Sequence, residues 1–314
     1  MNFNKTRVIR ILLALIFIFT LNFVIPRIMP GDPLVFLVGE DVVLDKATII
    51  ELRKELELDL PLWQQYINYW ARVVRLDFGY SYHYNQKVSQ LVLSRMPWTL
   101  GLLLPATILG AILGMVMGAI SAWGKNTSLN KLFTTLNLAV YSTPPYFLAM
   151  ICLYLFAIHW KLFPLKGFYQ TGTFWDILHH FFLPVIIMTI FSTSRNYIVM
   201  RGSVMQEKGK WYVLYARAKG INGYKLLFRH VFKNAALPMV TLIALDFGFL
   251  FSGALLVEIV FSMNGMGTLI YDAVLSRDYP LLQGIFLVIT LMVVFTNLAA
   301  EVCYHRLDPR IKQT

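Results

Sequence analysis

The chain has 314 residues, of which 57% are hydrophobic and only 14% charged, and its mean hydropathy is +0.60. A soluble domain carries about 25% charged residues, so this composition excludes an ordinary water-soluble fold. The formal charge of +11 lies in short segments beside apolar runs, the pattern of membrane topology and not that of a nucleic-acid-binding surface.

Apolar runs of about 20 residues can each cross roughly 30 Å of hydrocarbon. The sequence predicts an all-α integral membrane protein with six transmembrane helices, near 9–29, 98–123, 132–158, 180–203, 234–262 and 281–304. Residues 9–29 are too long for a signal-peptide core and lack a small-residue cleavage site, so they count as the first span. Three regions follow: 1–97, a span plus an extracytoplasmic helical insertion; 98–304, the main transmembrane domain; and a cytoplasmic tail, 305–314.

The insertion, residues 30–97, is too long for a simple connection. Asp45 is placed to cap a helix through Ile49, Ile50, Leu52 and Leu56, which breaks at Leu60-Pro61. Pro61 suits the first turn of a second helix, where Trp63, Ile67, Trp70 and Val74 recur on one face. This small subdomain is expected on the outer membrane face, as a passive cap or as a docking surface for an extracytoplasmic partner.

Span two carries Gly110, Gly114 and Gly118, a spacing that lets another helix approach closely. Span three contains Pro144-Pro145. Two adjacent prolines remove two backbone donors and must break or kink the helix. Irregular backbone at that depth is tolerated only inside protein or beside a water-filled cavity, so these prolines are expected on the path.

Between spans, 204–233 is the longest inside loop. Trp211, Leu214, Tyr215 and Ala218 form an apolar stripe, with Lys210, Arg217 and Lys219 elsewhere on the turn. Gly220 follows as a glycine stop, and Asn222-Gly223 turns the chain into a second basic segment.

Arg195, Asp246 and Glu258 are ionisable groups within or near spans four and five. Such groups mark internal pairs or pathways; Arg195 and Asp246 can pair or line a polar cavity wall. His179-His180 reads as interfacial anchoring, since adjacent side chains point to different faces of a helix and no acidic or cysteine partner is expected against them. No metal site is expected. Cys152 and Cys303 lie in apolar runs and form neither a disulfide framework nor a metal motif.

Lysine and arginine set the orientation. With the N-terminus inside, the cytoplasmic segments and their margins hold about 16 Lys/Arg against 2 acidic groups, and the outside segments about 11 against 12. Both termini are expected in the cytoplasm.

Tyr215-Ala216-Arg217-Ala218-Lys219-Gly220, then Arg229-His230 and Asn234-Ala235-Ala236-Leu237-Pro238, resemble the coupling-loop motif of permease subunits of bacterial ABC importers. The superfamily motif begins Glu-Ala-Ala, with Gly four residues after the second Ala. Ala216 and Gly220 match, while Leu214 and Tyr215 stand at the Glu and first Ala positions. That departure is typical of the peptide/nickel branch, whose Ala-Arg-Ala-Lys-Gly is intact. Pro30-Gly31-Asp32-Pro33, Leu58-Asp59-Leu60-Pro61-Leu62, Leu76-Asp77-Phe78-Gly79, Val257-Glu258-Ile259-Val260-Phe261 with Gly265-Met266-Gly267, Arg277-Asp278-Tyr279-Pro280 and Leu307-Asp308-Pro309-Arg310 resemble the B-type subunit of that branch. Asn264 departs from the usual proline before the glycine turn.

The resemblance implies the type I importer fold and a cargo of di- or oligopeptides, with nickel or a metal chelate as the alternative on the same scaffold. It implies a second homologous permease subunit, two cytoplasmic ATPases, an extracytoplasmic binding protein, and a bacterial or archaeal plasma membrane. Trp211, Leu214, Tyr215, Ala216, Arg217, Ala218, Lys219 and Gly220 would couple to an ATPase. Pro144, Pro145, Arg195, Asp246 and Glu258 would line or gate the path, with Glu258 at the outer end. Trp63, Ile67 and Trp70 would meet the binding protein. ATP and magnesium belong to the partners: Gly118 to Gly124-Lys125 is one residue too long for a phosphate loop and continues with Asn126. A self-sufficient secondary transporter would need broken helices in both halves, and span three has no convincing counterpart.

Overall fold

The computed structural model describes residues 5–28, 46–55, 57–75, 77–124, 127–250 and 254–307. The described residues are helical apart from turns, loops and one isolated antiparallel bridge, Tyr80 to Lys87. The chain divides into two compact units, Met1–Met96 with Thr268–Leu291, and Pro97–Gly267 with Met292–Thr314.

In the first unit α1 (Lys5–Ile28), α2 (Lys46–Glu55) and α3 (Leu62–Arg75) precede the start of a long helix, α4 (Val88–Trp123). The proposed cap Asp45 lies outside the described residues. Phe19 and Phe23 of α1 pack on Tyr69, with Tyr66, Trp70 and Val73 around them. Thr20 and Tyr66 share a hydroxyl hydrogen bond of 2.8 Å, and Arg27 Nε donates to Gln65 Oε1 at 3.0 Å. The buried seam of α3 therefore runs through Gln65, Tyr66 and Tyr69. Trp63, Ile67 and Val74 remain exposed, and only Trp70 of the expected stripe reaches the seam, at its edge.

A polar knot closes the same unit. Asp278 is fully buried and accepts from Ser81 Oγ at 2.5 Å, from the His83 amide at 3.0 Å and from the Leu281 amide at 3.1 Å. Tyr84 donates to Asp272 at 2.7 Å. Burial pushes the Tyr84 hydroxyl up to about 12, and the hydrogen bond to Asp272 adds to the shift.

In the second unit α4 continues from Pro97 and α5 (Ser128–Ser142) follows. Next come α6 (Pro145–Cys152), which runs on as a π-helical stretch to His159, and α7 (Phe174–Lys208). Thr143 ends α5, and Pro145 occupies the first turn of α6, where a missing N–H costs nothing. The pair bends by 102° there, so the tandem prolines break the helix as their chemistry requires.

After α7 come α8 (Trp211–Ala218), α9 (Gly223–Ala235, with a π-helical turn at Leu227–Val231) and α10 (Leu237–Phe249). Two short helices, α11 (Leu255–Val260) and α12 (Met266–Leu275), lead to α13 (Tyr279–Leu307).

Three stretches are individually long and apolar enough to cross a membrane, Val88–Trp123, Phe174–Lys208 and Tyr279–Ala299; counting each bent pair as one span gives up to five. Helix α1 carries a shorter apolar stretch, Leu12–Ile28. The expected fifth span, 234–262, is corrected. Its helix is bent by 56° beside Pro238, and α11 is a separate short helix. Hydropathy follows apolar content, which continues through both elements, and does not register a change in backbone direction.

The Gly110, Gly114 and Gly118 ladder faces α7. A Cβ on each would come within 2.6 Å of Ser192, Asn196 and the Tyr197 carbonyl oxygen respectively. Contact that close excludes any side chain larger than hydrogen and gives backbone-to-backbone packing where lipid offers no hydrophobic drive.

Candidate functional site

The loop after α7 is built to hold α8 rigidly. Val213 is buried in a cluster with Met200 and Val204 of α7 and Leu226, Leu227 and Val231 of α9. Glu207, itself buried, accepts from Lys210 Nζ at 2.5 Å and from the Tyr212 hydroxyl at 2.7 Å. Burial raises the Tyr212 hydroxyl to about 12, reinforced by Glu207. Lys208 Nζ donates to the Ala122 and Trp123 carbonyls, both at 3.2 Å, where the end of α4 favours a cation.

Helix α8 ends in a Schellman arrangement. The Ile221 amide bonds the Ala216 carbonyl at 3.0 Å and the Gly220 amide bonds the Arg217 carbonyl at 2.9 Å. Gly220 has φ +82°, a left-handed conformation that glycine adopts without penalty. Opposite Val213 the helix presents an uncovered apolar face: Trp211 is 74% exposed, Leu214 56% and Tyr215 66%. Arg217 and Lys219 are exposed beside them, and the Arg217 guanidinium lies 5.5 Å from the centre of the Trp123 ring. Hydropathic spacing found the exposed stripe. It did not find Glu207, Lys208 or Val213, whose partners lie on other helices.

A second feature is a cavity of about 430 Å³ among α4, α6, α7, α10 and α11. Leu103, Tyr146, Met188, Phe191 and Leu255 supply apolar wall, and Pro145, Arg195 and Asp246 also line it. Arg195 Nη2 forms an ion pair with Asp246 Oδ1. Arg195 of α7 and Asp246 of α10 are thus both a pair and part of a cavity wall.

Pro144 caps α6 from outside, next to the lining residue Pro145. Glu258 is not among the lining residues. It is 1% exposed, and its Oε1 accepts from Thr99 Oγ1 at 2.8 Å, while Thr99 Oγ1 in turn accepts from the Met266 amide at 2.8 Å. The glycine turn folds tightly over this carboxylate. A Cβ on Gly265 would lie 2.5 Å from Glu258 Oε1, and one on Gly267 2.7 Å from the Leu255 backbone. Glu258 therefore lies beside the start of α12, where negative charge is favoured. His180 Nδ1 bonds the Asp176 carbonyl at 2.8 Å and lies 3.1 Å from Asp176 Oδ1, an acidic partner one helical turn earlier that corrects the expectation of none, and His179 Nε2 bonds the Leu162 carbonyl at 2.9 Å.

Residues 97–313 match the family described as binding-protein-dependent transport system inner membrane component, and residues 1–103 match the N-terminal component of such membrane proteins. A protein of Brucella suis biovar 1 named as a peptide permease is 35% identical over 298 residues, covering 94% of this chain and 93% of its own. The dipeptide transport system permease protein of Escherichia coli K12 is 30% identical, covering 93% of each chain. The glutathione transport system permease protein of the same strain is 30% identical over 99% of each. A helical chain with membrane-crossing segments, a rigid apolar-faced loop helix and a pair-lined cavity, matched over nearly its full length, belongs to the family of binding-protein-dependent transport system inner membrane components.

Proposed function

We propose that this chain is one of two permease subunits of an ABC importer and that it forms part of the path by which di- or oligopeptides cross the plasma membrane. The cargo follows the names of its full-length relatives, two of them peptide or dipeptide permeases.

The observation that carries the coupling role is the uncovered face of Trp211, Leu214 and Tyr215 on a helix pinned from behind by Val213. A helix presenting an apolar face suits a groove on another protein. Two cytoplasmic ATPases would receive such helices, one from each permease, and ATP with magnesium would bind there and not on this chain. Closure of the ATPase pair would displace α8 and, through Val213 and its neighbours, turn α7 and α9 between inward- and outward-open states. Chemistry on the nucleotide is assigned to the partners, so the chain is not itself an enzyme. The exposed Trp63 and Ile67, with Trp70 at their edge, would meet the binding protein. Both termini would lie in the cytoplasm, following the lysine and arginine distribution.

The test is purification of the tagged chain in mild detergent, followed by reconstitution. Co-purification with a second permease and two ATPases, together with ATP-dependent peptide uptake requiring a binding protein, supports the role. A chain that transports alone, or a complex that hydrolyses ATP and moves no peptide, overturns it. An impermeant thiol reagent that labels a cysteine at Asn222 from outside intact cells overturns the orientation.

A further inference from the structure

Arg195 and Asp246 are the charged residues of an otherwise mostly apolar cavity wall, and they neutralise each other. The pairing leaves part of each group unused: among the described residues, buried Arg195 Nε and Asp246 Oδ2 have no hydrogen-bond partner. The pair thus holds one unsatisfied donor on a cation and one unsatisfied acceptor on an anion, buried within side chains that keep 29% and 11% of their surface exposed.

That arrangement discriminates by charge pattern. A lone anion drawn to Arg195 would compete with Asp246 and leave a carboxylate uncompensated in an apolar wall, and a lone cation would strand the guanidinium. A ligand carrying an ammonium and a carboxylate engages both groups and leaves neither alone. We propose that the Arg195–Asp246 pair is the element that receives the two charged termini of a zwitterionic cargo, its carboxylate at Arg195 and its ammonium at Asp246, while the cargo's side chains meet Leu103, Tyr146, Met188 and Phe191. The assignment rests on the import role proposed above and names how the cavity selects within it. Two extended residues separate their termini by about 7 Å, and a cavity of 430 Å³ falls in the range of small-ligand sites. A short peptide with free ends fits both the charge pattern and the volume.

The experiment uses the complete transporter with its binding protein in proteoliposomes, with radiolabelled Leu-Leu as the probe. The quantity read is peptide imported per ATP hydrolysed. In R195Q/D246N, which removes both charges together, assembly and binding-protein-stimulated hydrolysis are expected within about twofold of the unmodified complex, and import per ATP at least about tenfold lower. A pair that only holds helices together would lower import and hydrolysis in step, leaving the ratio unchanged, and that result overturns the proposal. Should the double variant fail to assemble, Arg195→Lys carries the test, since it keeps the charge and removes the Nε donor. It is expected to lose at least about threefold in import per ATP, and full retention overturns the proposal. If the unmodified complex imports no Leu-Leu while its binding protein holds it, the import role itself fails, an outcome distinct from both others.

Discussion

Gly114 of α4 lies so close to Asn196 of α7 that a Cβ on the glycine would stand 2.5 Å from the Asn196 Cβ, and 2.7 Å from the Thr193 carbonyl oxygen. The second contact is with backbone, which cannot swing aside. Gly114→Val is therefore expected to cost about 3 kcal/mol or more, seen as a lowered Tm and loss of the monodisperse peak in detergent. Gly202, on the same α7, has nothing within 4 Å of where an alanine methyl would stand. Gly202→Ala should change stability by at most about 1 kcal/mol, in the stabilising direction.

Trp211 and Val213 sit two residues apart on α8 with opposite surroundings, one 74% exposed and the other buried. Trp211→Ala is expected to leave the amount and Tm of the permease unchanged while weakening ATPase association by about 2 kcal/mol, read by titration of the purified ATPase onto the permease. Val213→Ala is expected to do the reverse, lowering Tm through a cavity in the cluster with Met200 and Leu226. Equal effects of the two on ATPase association would mean that the exposed face is not the contact.

How legible these features were depends on the range of the contacts behind them. The glycine ladder is visible because four-residue spacing places its members on one helix face, yet nothing in that spacing names α7 as the partner. Arg195 and Asp246 are visible because ionisable groups in apolar runs are rare, but the cavity they line depends on how five helices, α4, α6, α7, α10 and α11, pack. Glu258 was expected at the outer gate. Its burial depends on Thr99, 159 positions away, and on the absence of side chains at Gly265 and Gly267. Local spacing carries no record of such a contact. The tandem prolines are the opposite case, because the break they cause is written in the lost N–H groups themselves.

Asp278 makes a pH prediction for the first unit. Burial pushes its carboxyl above the ordinary range, against the opposing hydrogen bonds from Ser81, His83 and Leu281. The folded chain therefore holds this proton more tightly than the unfolded chain does. The associated stability is complete below the ordinary carboxylate value, about 4, and is lost as pH rises through the raised value. Protection of the Leu281 amide, corrected for intrinsic exchange, is expected to fall with rising pH across that window. In Asp278→Asn that slope should vanish, with opening easier by about 1–2 kcal/mol because the amide offers a single acceptor oxygen. A slope that persists in the variant would place the titrating group elsewhere.

Gly220 isolates backbone conformation from packing. Its φ of +82° is left-handed, and a Cβ there would meet nothing within 4 Å, so any penalty for a side chain comes from the backbone alone. That penalty is about 1–2 kcal/mol for most residues, worst for β-branched ones and small for asparagine. Relief of the strain requires the Schellman bonds from Gly220 and Ile221 to open, which frees the end of α8 from its fixed direction. Gly220→Val is accordingly expected to assemble and hydrolyse ATP while import per ATP falls about tenfold, and Gly220→Asn to keep at least about half of it. Normal import by the valine variant would mean that the direction of α8 is not what transmits the stroke. Equal loss in both variants would point to a requirement for bare backbone at this position, as a close partner surface would impose.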